Sequence, residues 1–408
     1  MHVIGRDTGG AGVVDADGGR RGAGGDSRDG EDGGDRDAVG GRGRSGPVAP
    51  LGRYRARDGS AGARVGVDVD RQHAALVVGK RGSGKTHTLG VLAEGVADAT
   101  GVAPVVVDPM GVLGGLAEAG GTVHRRPRVR AEAVPAAAWP ELLDLDPAGA
   151  VGSLVWRAFA DGEESTLDAA RDRVADADAD RATRRAAAAH LSLADDWGVV
   201  DADGLAPADL LGGDATVLDC SALPGAAAEA VCAAVARGLY DAAVRRDLDR
   251  LPWLFVDEAH AFRDGVAGAA LRTLLTRGRT PGVSLVCATQ RPAALPEAAV
   301  SQADILVAHR LSGRADVDAL AATRPFALDG GGGDRLADRL PDGVGEALVV
   351  DDAGETATTV GVRERRTPDG GASPRASDRR DDENRRDDGD ARRGRRQRGE
   401  EGDAGART

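Results

Sequence analysis

One stretch fills every position of the phosphate-binding pattern G-x-x-x-x-G-K-S/T, namely Gly79-Lys80-Arg81-Gly82-Ser83-Gly84-Lys85-Thr86. The apolar run at 75–78 before it is short enough for a buried strand, and residues 88–93 after it continue as a helix. Glycines in such a loop let several backbone N–H groups face one anion, and the helix N-terminus adds partial positive charge. The stretch therefore predicts a nucleotide-binding loop between a strand and a helix.

Lysine usage argues that this match is not a chance product of the 60 glycines in the chain. Lys80 and Lys85 are the only lysines, while the other 51 of the 53 basic residues are arginine. A compact ammonium is thus kept where it must fit among phosphate oxygens. We expect Lys85 to reach the β- and γ-phosphates of ATP and the Thr86 hydroxyl to ligate Mg²⁺. The predicted nucleotide-binding residues are 79–86, with His87 directly after them.

Composition limits the part of the chain that can fold. A chain of 408 residues suffices for one large or two ordinary domains. Residues 1–52 are mostly Gly, Asp, Arg and Ala, and residues 363–408 contain almost no apolar side chains, so neither end can bury enough surface to fold. All ten Trp, Tyr and Phe residues lie between Tyr54 and Phe326. We therefore expect one domain at 53–362 with a disordered tail on each side.

Charge and cysteine content exclude several classes of protein. The chain carries 66 acidic and 53 basic residues, a net charge of −13, which argues against a broadly basic nucleic-acid surface but not against a local one. The three cysteines are far apart, so neither a disulfide framework nor a zinc site is indicated. Neither a leader nor an apolar run approaching about 18 residues is visible. We expect a cytoplasmic protein without a membrane segment.

Strands alternate with helices along the predicted domain. The strands are expected at 75–78, 103–109, 215–220, 253–256, 283–289, 304–309 and, as the last one, 347–350. This alternation predicts an α/β fold with a mostly parallel sheet covered by helices on both faces. The ligand should then lie at the carboxyl ends of the strands.

Polar side chains follow these predicted strands at the ends where the ligand is expected. Asp108 ends the second strand, Asp257 and Glu258 follow the strand at 253–256, and Gln290 follows the strand at 283–289. In a phosphate-loop protein the first acid at such a strand end helps to hold Mg²⁺, and the second polarises the attacking water. We predict that Thr86 and Asp257 bind the metal, that Glu258 is the general base and that Gln290 senses the γ-phosphate or its water.

Two further segments stand out between the second and third predicted strands. Residues 124–130 form a basic cluster, for which a solvated edge and a DNA contact both remain open, and residues 133–212 are Ala-rich and helical in pattern. We interpret the latter as an inserted helical subdomain. Its expected buried face consists of Trp139, Leu142, Leu143, Leu154, Val155, Trp156 and Phe159.

With these landmarks, the chain resembles the HerA/FtsK branch of RecA-like ATPases over residues 53–362. The resemblance is carried by the phosphate loop, Asp108-Pro109-Met110-Gly111, the segment 218–224, Asp257-Glu258-Ala259-His260, Gly278-Arg279, Ala288-Thr289-Gln290-Arg291-Pro292, Leu295-Pro296 and Ser301-Gln302-Ala303-Asp304. Together these motifs are far more specific than any one of them.

The resemblance implies an ATP-hydrolysing motor that uses Mg²⁺, often on double-stranded DNA, and that assembles into a homo-oligomeric, hexameric ring. It assigns phosphate contacts to Lys85, the sensor role to Gln290 and the completion of a neighbouring subunit's site to Arg279. A stand-alone ATPase fits better than a full-length HerA, and a nuclease or other protein partner is left open.

Other classes of function explain the motifs less well. A superfamily 2 helicase would need a Ser-Ala-Thr segment and a second motor domain, and neither is present in the sequence. A small-molecule kinase is disfavoured because the adjacent Asp257 and Glu258 suit water better than an organic acceptor. An ATP-dependent switch that hydrolyses slowly, without a DNA substrate, remains the alternative.

Overall fold

The computed structural model describes residues 1–6, 46–56, 58–162, 164–323 and 336–370. Met1–Pro368 forms one compact unit. Within the described residues, twelve strands form one sheet. They are β1 (His2–Ile4), β2 (Val48–Arg55), β3 (Ala61–Asp68), β4 (Ala74–Val78), β5 (Val102–Asp108), β6 (Thr122–Arg125), β7 (Thr216–Asp219), β8 (Leu251–Val256), β9 (Ser284–Thr289), β10 (Ile305–Ala308), β11 (Glu346–Asp351) and β12 (Thr356–Val362).

The strand order is β1-β3-β2-β12-β11-β10-β4-β9-β8-β5-β7-β6. All neighbours from β10 to β6 pair in parallel, while β10 to β3 are joined through antiparallel pairs. The central strands β4 and β5 are buried along their whole length, as expected for strands covered on both faces. The predicted mostly parallel RecA-like α/β fold is confirmed.

Helices fill the connections between the strands. They are α1 (Lys85–Ala97), α2 (Trp139–Leu142), α3 (Ala150–Ala160), α4 (Leu167–Asp176), α5 (Arg181–Asp196), α6 (Pro207–Leu210), α7 (Gly225–Arg245), α8 (Gly265–Arg277), α9 (Glu297–Ser301), α10 (Arg314–Thr323) and α11 (Leu336–Arg339). Alternate residues of β4 enter different cores: Leu76 and Val78 pack with α7, α8 and the helices between β6 and β7, whereas Ala75 and Val77 pack with α1.

The stretch predicted as a helical insertion, 133–212, holds α2 to α6. Side chains cap the N-termini of two of these helices. Thr166 Oγ1 accepts a hydrogen bond from the Ala169 N–H at 3.1 Å, and the Asp180 carboxylate accepts from the N–H groups of residues 182 and 183. Six of the seven expected core side chains are buried. Trp156 is the exception, because it lies on the solvent side of α3 with 45% exposure.

The strands also correct two predicted boundaries. Strands β1 and β2 include residues 2–4 and 48–52, which had been assigned to the N-terminal tail, because β2 pairs with β3 and β12 and so gains partners that local sequence does not reveal. The last strand is β12 rather than β11, since the chain turns back after Asp351. Most of the predicted tails, 7–45 and 371–408, lies outside the described residues.

Residues 363–368, here called the α1 strap, follow β12 and pack against α1, although the sequence placed them in a disordered tail. Their partner is Glu94 on α1, whose side chain has no exposed surface. Arg363 Nη1 lies 2.7 Å from Glu94 Oε2, and the Thr367 N–H and hydroxyl donate to Glu94 Oε1 at 2.9 and 2.8 Å. Gly90 leaves room for Arg365, because a Cβ there would lie 2.6 Å from the guanidinium. A buried carboxylate thus ties the chain after β12 to the phosphate-loop helix.

Replacing this carboxylate should destabilise the protein. Glu94→Gln removes one partner of a buried ion pair, and we expect a loss of about 3 kcal/mol in the free energy of unfolding, measured by urea denaturation. Burial alone would raise the pKa of Glu94, but hydrogen bonds from Thr367 and Arg363 outweigh it and lower the pKa. The stabilisation is therefore present above the unfolded-state pKa and is lost as the pH falls through the folded-state pKa.

The control for this experiment is Glu118→Gln, because Glu118 is exposed and makes no ion pair with the described residues. Its midpoint should equal that of the wild type. A Glu94→Gln midpoint that matches the control at neutral pH would show that the α1 strap adds no stability.

Candidate nucleotide-binding and hydrolysis site

The phosphate loop lies between the carboxyl end of β4 and the first turn of α1, as the sequence predicted. Gly79, Gly82 and Gly84 have φ values of 158°, 75° and 114°. A Cβ at Gly79 would lie 2.4 Å from the Ser83 hydroxyl oxygen, so the loop closes only with glycine there. Ser83 N–H and Oγ both donate to the Lys80 carbonyl, at 3.2 and 2.8 Å, which fixes the turn.

Lys85 and Thr86 begin α1 and face the end of β8. Thr86 Oγ1 donates to Asp257 Oδ2 at 2.9 Å, and Lys85 Nζ donates to the Lys80 carbonyl at 3.3 Å. Lys85 and Asp257 are both buried. Burial lowers the pKa of Lys85, and the carboxylates of Glu258 and Asp257 oppose that change. The hydroxyl and the carboxylate are hard oxygen donors side by side, and this donor pair fits Mg²⁺ that also binds nucleotide phosphates.

Glu258 has an unusual backbone conformation directly after Asp257. Its φ of 47° and ψ of 42° lie in the left-handed region, which costs a non-glycine residue on the order of 1 kcal/mol. The Glu258 N–H donates to Asp257 Oδ1 at 2.8 Å, which holds the two acids in a fixed relation. Burial and the charge of Asp257 raise the pKa of Glu258, while Lys85, His260 and Arg81 oppose the shift. A raised pKa makes this carboxylate a better proton acceptor near neutral pH.

His260 and Thr289 link Glu258 to the end of β9. His260 Nδ1 lies 3.2 Å from Glu258 Oε2 and 3.4 Å from Thr289 Oγ1. The Thr289 hydroxyl also accepts a hydrogen bond from the Arg291 N–H at 3.1 Å. Gln290 lies between Thr289 and Arg291 in the chain. Because Val78 pairs with Thr289 in parallel strands, the next residue of each strand follows in register, and Gln290 lies beside Gly79. His260 therefore lies between the predicted base and Thr289, the residue before the predicted sensor.

His309 directly follows β10 and packs against Gly79 and Gly84 of the phosphate loop. It is fully buried, and its Nδ1 lies 2.8 Å from the Glu346 carbonyl while its Nε2 lies 2.8 Å from Thr88 Oγ1. A carbonyl only accepts, so Nδ1 carries the proton and the Thr88 hydroxyl donates to Nε2. Burial lowers the pKa of His309 to about 4. A neutral imidazole thus links α1 to the first residue of β11 without adding charge.

The predicted acid of the second strand, Asp108, serves the loop that follows it. It is buried and accepts hydrogen bonds from the N–H groups of Met110, Gly111 and Leu113 at 3.1, 2.8 and 2.7 Å. Burial raises its pKa, as does the nearby charge of Asp257. Asp108 therefore shapes the loop beside the site.

Arg279 lies at the opposite end of the sheet from its own phosphate loop. It lines a cavity of about 590 Å³ together with Ala74, the first residue of β4, and Asp304, the residue before β10. The phosphate loop follows the last residue of β4, so a strand length of roughly 15 Å separates the two. Arg279 is exposed, and no contact within the described residues holds its guanidinium. Any catalytic role for it requires a second copy of the chain.

The structure therefore brings together Lys85, Thr86, Asp257 and Glu258, places Gln290 beside them and separates Arg279. The His87 imidazole is directed away from the loop, because its Nε2 donates to the Arg363 carbonyl of the α1 strap at 2.8 Å. The sequence analysis missed His260, Thr289 and His309 as site residues. His260 and Thr289 belong to motifs already quoted, so the sequence contained a signal for them. The only sequence signal for His309 was its position at the end of a predicted strand.

Comparison with known families agrees with this geometry. Residues 53–147, from β2 through the phosphate loop to the first helices between β6 and β7, match the family described as helicase HerA-like, C-terminal. Over these residues the chain is similar to that family. The predicted resemblance is thus confirmed, and the matched part of the chain includes every residue of its phosphate loop.

Solved structures support the fold of the chain. VirB4 of Thermoanaerobacter pseudethanolicus aligns with a TM-score of 0.57 and 16% identity, covering 81% of this chain and 98% of that one. The bacterial conjugative coupling protein TrwBdeltaN70 aligns with a TM-score of 0.50 and 14% identity over 74% and 88% of the two chains. No curated protein matches in sequence. Among the described residues, no helix is long and apolar enough to cross a bilayer.

Proposed function

We propose that the protein is an ATPase that binds ATP with Mg²⁺ and hydrolyses it as a motor on double-stranded DNA. The observation that carries the proposal is the contact of Thr86 with Asp257 at the phosphate loop, with Glu258 held beside it in a left-handed conformation. These side chains supply metal ligands and a proton acceptor at one strand end, which is the set that ATP hydrolysis requires.

In this mechanism the residues of the loop orient the nucleotide. The N–H groups of 79–86 and the Lys85 ammonium bind the phosphates. Thr86 and Asp257 would hold Mg²⁺, which when bound would supply positive charge to the phosphate oxygens. The Glu258 carboxylate accepts a proton from the attacking water. Gln290 orients that water or the γ-phosphate from the end of β9.

We further propose that the active form is a homo-oligomeric, hexameric ring in the cytoplasm, in which Arg279 of one subunit completes the site of the next. The support is the position of Arg279: it is exposed, it lies a strand length away from its own phosphate loop, and described residues hold it in no ion pair. An arginine supplied in trans stabilises the charge of the transferring phosphoryl group.

Duplex DNA is proposed as the substrate, with the basic cluster at the edge strand β6 as its contact. Two of the four arginines are already engaged: Arg128 pairs with Asp201 at 2.6 Å, and Arg130 donates to the Gly204 carbonyl at 3.0 Å. Arg125 and Arg126 are exposed and no contact with described residues holds them. The DNA contact is therefore assigned to Arg125 and Arg126.

The test is ATP turnover with increasing linear duplex DNA, at low and high salt. We expect DNA to stimulate the wild type, and the Arg125→Gln/Arg126→Gln variant to lose most of that stimulation, with a salt slope of log affinity lower by about 0.9 per lost phosphate contact. The matched control, Arg128→Gln/Arg130→Gln, should keep most of it. If an active wild type shows no stimulation at any salt, the ATP-dependent switch that works without DNA becomes the better explanation.

A further inference from the structure

An open groove of about 510 Å³ lies on the antiparallel part of the sheet, where β2, β3 and the end of β12 meet. Four arginines line it, Arg53, Arg55, Arg64 and Arg363, together with Tyr54, and none of its lining residues is acidic. The chain as a whole carries a net charge of −13. The groove is therefore a local positive surface on an acidic protein.

Arg53 and Arg64 form the least compensated part of this groove. They are directly opposite each other in the antiparallel pairing of β2 with β3, so both side chains lie on one face of the sheet. Both are exposed, Arg53 Nη1 donates only to the Gly62 carbonyl at 3.3 Å, and no carboxylate of the described residues pairs with either. Like charges directly opposite destabilise a sheet. An anion bound between them would remove that repulsion.

The other two arginines are fixed in place by the protein. Arg55 Nε lies 3.0 Å from Glu346 Oε1, and Arg55 Nη1 donates to the Gly59 carbonyl at 2.9 Å. Arg363, the first residue of the α1 strap, is held by Glu94 of α1. The groove thus combines two arginines that the protein holds in place, Arg55 and Arg363, with two whose charge is available to a ligand, Arg53 and Arg64.

We propose that this groove binds the phosphate backbone of duplex nucleic acid. Arginine pairs phosphate oxygens through its planar fork, and contacts of this kind with the phosphate backbone carry sequence-independent binding of duplexes. An anionic membrane is disfavoured because Met1 is the one large apolar side chain exposed among the groove residues, whereas membrane surfaces bury a broad apolar face. The inference rests on the proposed function, since it adds a second contact for the same DNA.

This site is distinct from the basic cluster at β6. In the order of the sheet, β2 is the third strand and β6 the twelfth, so roughly 40 Å of sheet separates them at about 4.8 Å per strand. One variant therefore cannot disturb both sites through direct contact, and the two can be tested independently.

The experiment measures binding of a fluorescent duplex by fluorescence anisotropy at several salt concentrations, with basal ATP turnover measured in parallel. The variant is Arg53→Gln/Arg64→Gln, which keeps side-chain length and removes two charges. We expect its salt slope of log affinity to fall by about 1.8, that is about 0.9 for each lost contact, with basal ATP turnover unchanged. The charge-matched control is Arg157→Gln/Arg185→Gln, from two exposed arginines on α3 and α5, and it should bind as the wild type does.

Each outcome decides the inference. A groove variant that binds duplex as tightly as the control, and with the same salt slope, overturns it while leaving the proposed ATPase intact. A wild type that hydrolyses ATP but binds no duplex also overturns it. If vesicles or acidic peptides displace the duplex no better than salt does, the result supports nucleic acid as the ligand. A wild type that binds duplex through the groove but hydrolyses no ATP would retain the groove and refute the proposed function.

Discussion

Glu258→Gln should keep ATP binding yet lower ATP turnover by about 10² to 10⁴. The amide keeps the shape of the side chain and cannot accept a proton from water, while the metal contact of Thr86 with Asp257 is left in place. The raised pKa of Glu258, caused by burial and by the charge of Asp257, adds a dependence on pH. Wild-type turnover should fall as the pH drops through that pKa, because the protonated acid is no longer a base.

The measurement combines steady-state turnover with nucleotide binding followed by calorimetry. Lys85→Ala is the matched variant, because it removes a phosphate contact and should lose nucleotide binding as well as turnover. Near-normal turnover in Glu258→Gln would remove the general-base assignment, and loss of binding in that variant would assign Glu258 to the nucleotide site instead of to the chemistry.

Arg279→Ala should lower ATP turnover by about 10³ to 10⁵ if the arginine is supplied to a neighbouring subunit. It lies a strand length from its own loop, so the same substitution should leave nucleotide binding by a single subunit almost unchanged. The matched control is Arg277→Ala, at the exposed end of α8, which should retain wild-type turnover.

Mixing experiments separate a role in trans from a structural role. Arg279→Ala and Lys85→Ala subunits are each expected to be inactive, but mixed rings contain some sites with an intact Lys85 facing an intact Arg279, so part of the activity should return. If co-assembled mixtures stay inactive, or if light scattering shows a monomer under all nucleotide conditions, the role of Arg279 in trans is wrong.

The sequence alone determined the phosphate loop and the acids that face it. Local signals were enough, because the loop needs glycines and lysine at fixed spacing and because buried parallel strands are continuous apolar runs. The strands β4, β5, β7, β8, β9 and β10 were therefore predicted close to their observed positions. Parallel strands also end at one edge, so the position of Asp257 near Thr86 followed from the same pattern.

Only the tertiary structure decided the partners of charged side chains, because an ion pair depends on residues far apart in the sequence. Glu94 pairs with the α1 strap, more than 260 residues later in the sequence, and Arg128 pairs with Asp201 inside the helical insertion. Arg-rich and polar composition made residues 363–368 look unable to fold, yet a buried carboxylate on α1 gives their donors a partner. For the same reason the pairing of β2 with β3, which sets Arg53 against Arg64, is a property of the register and not of either strand alone.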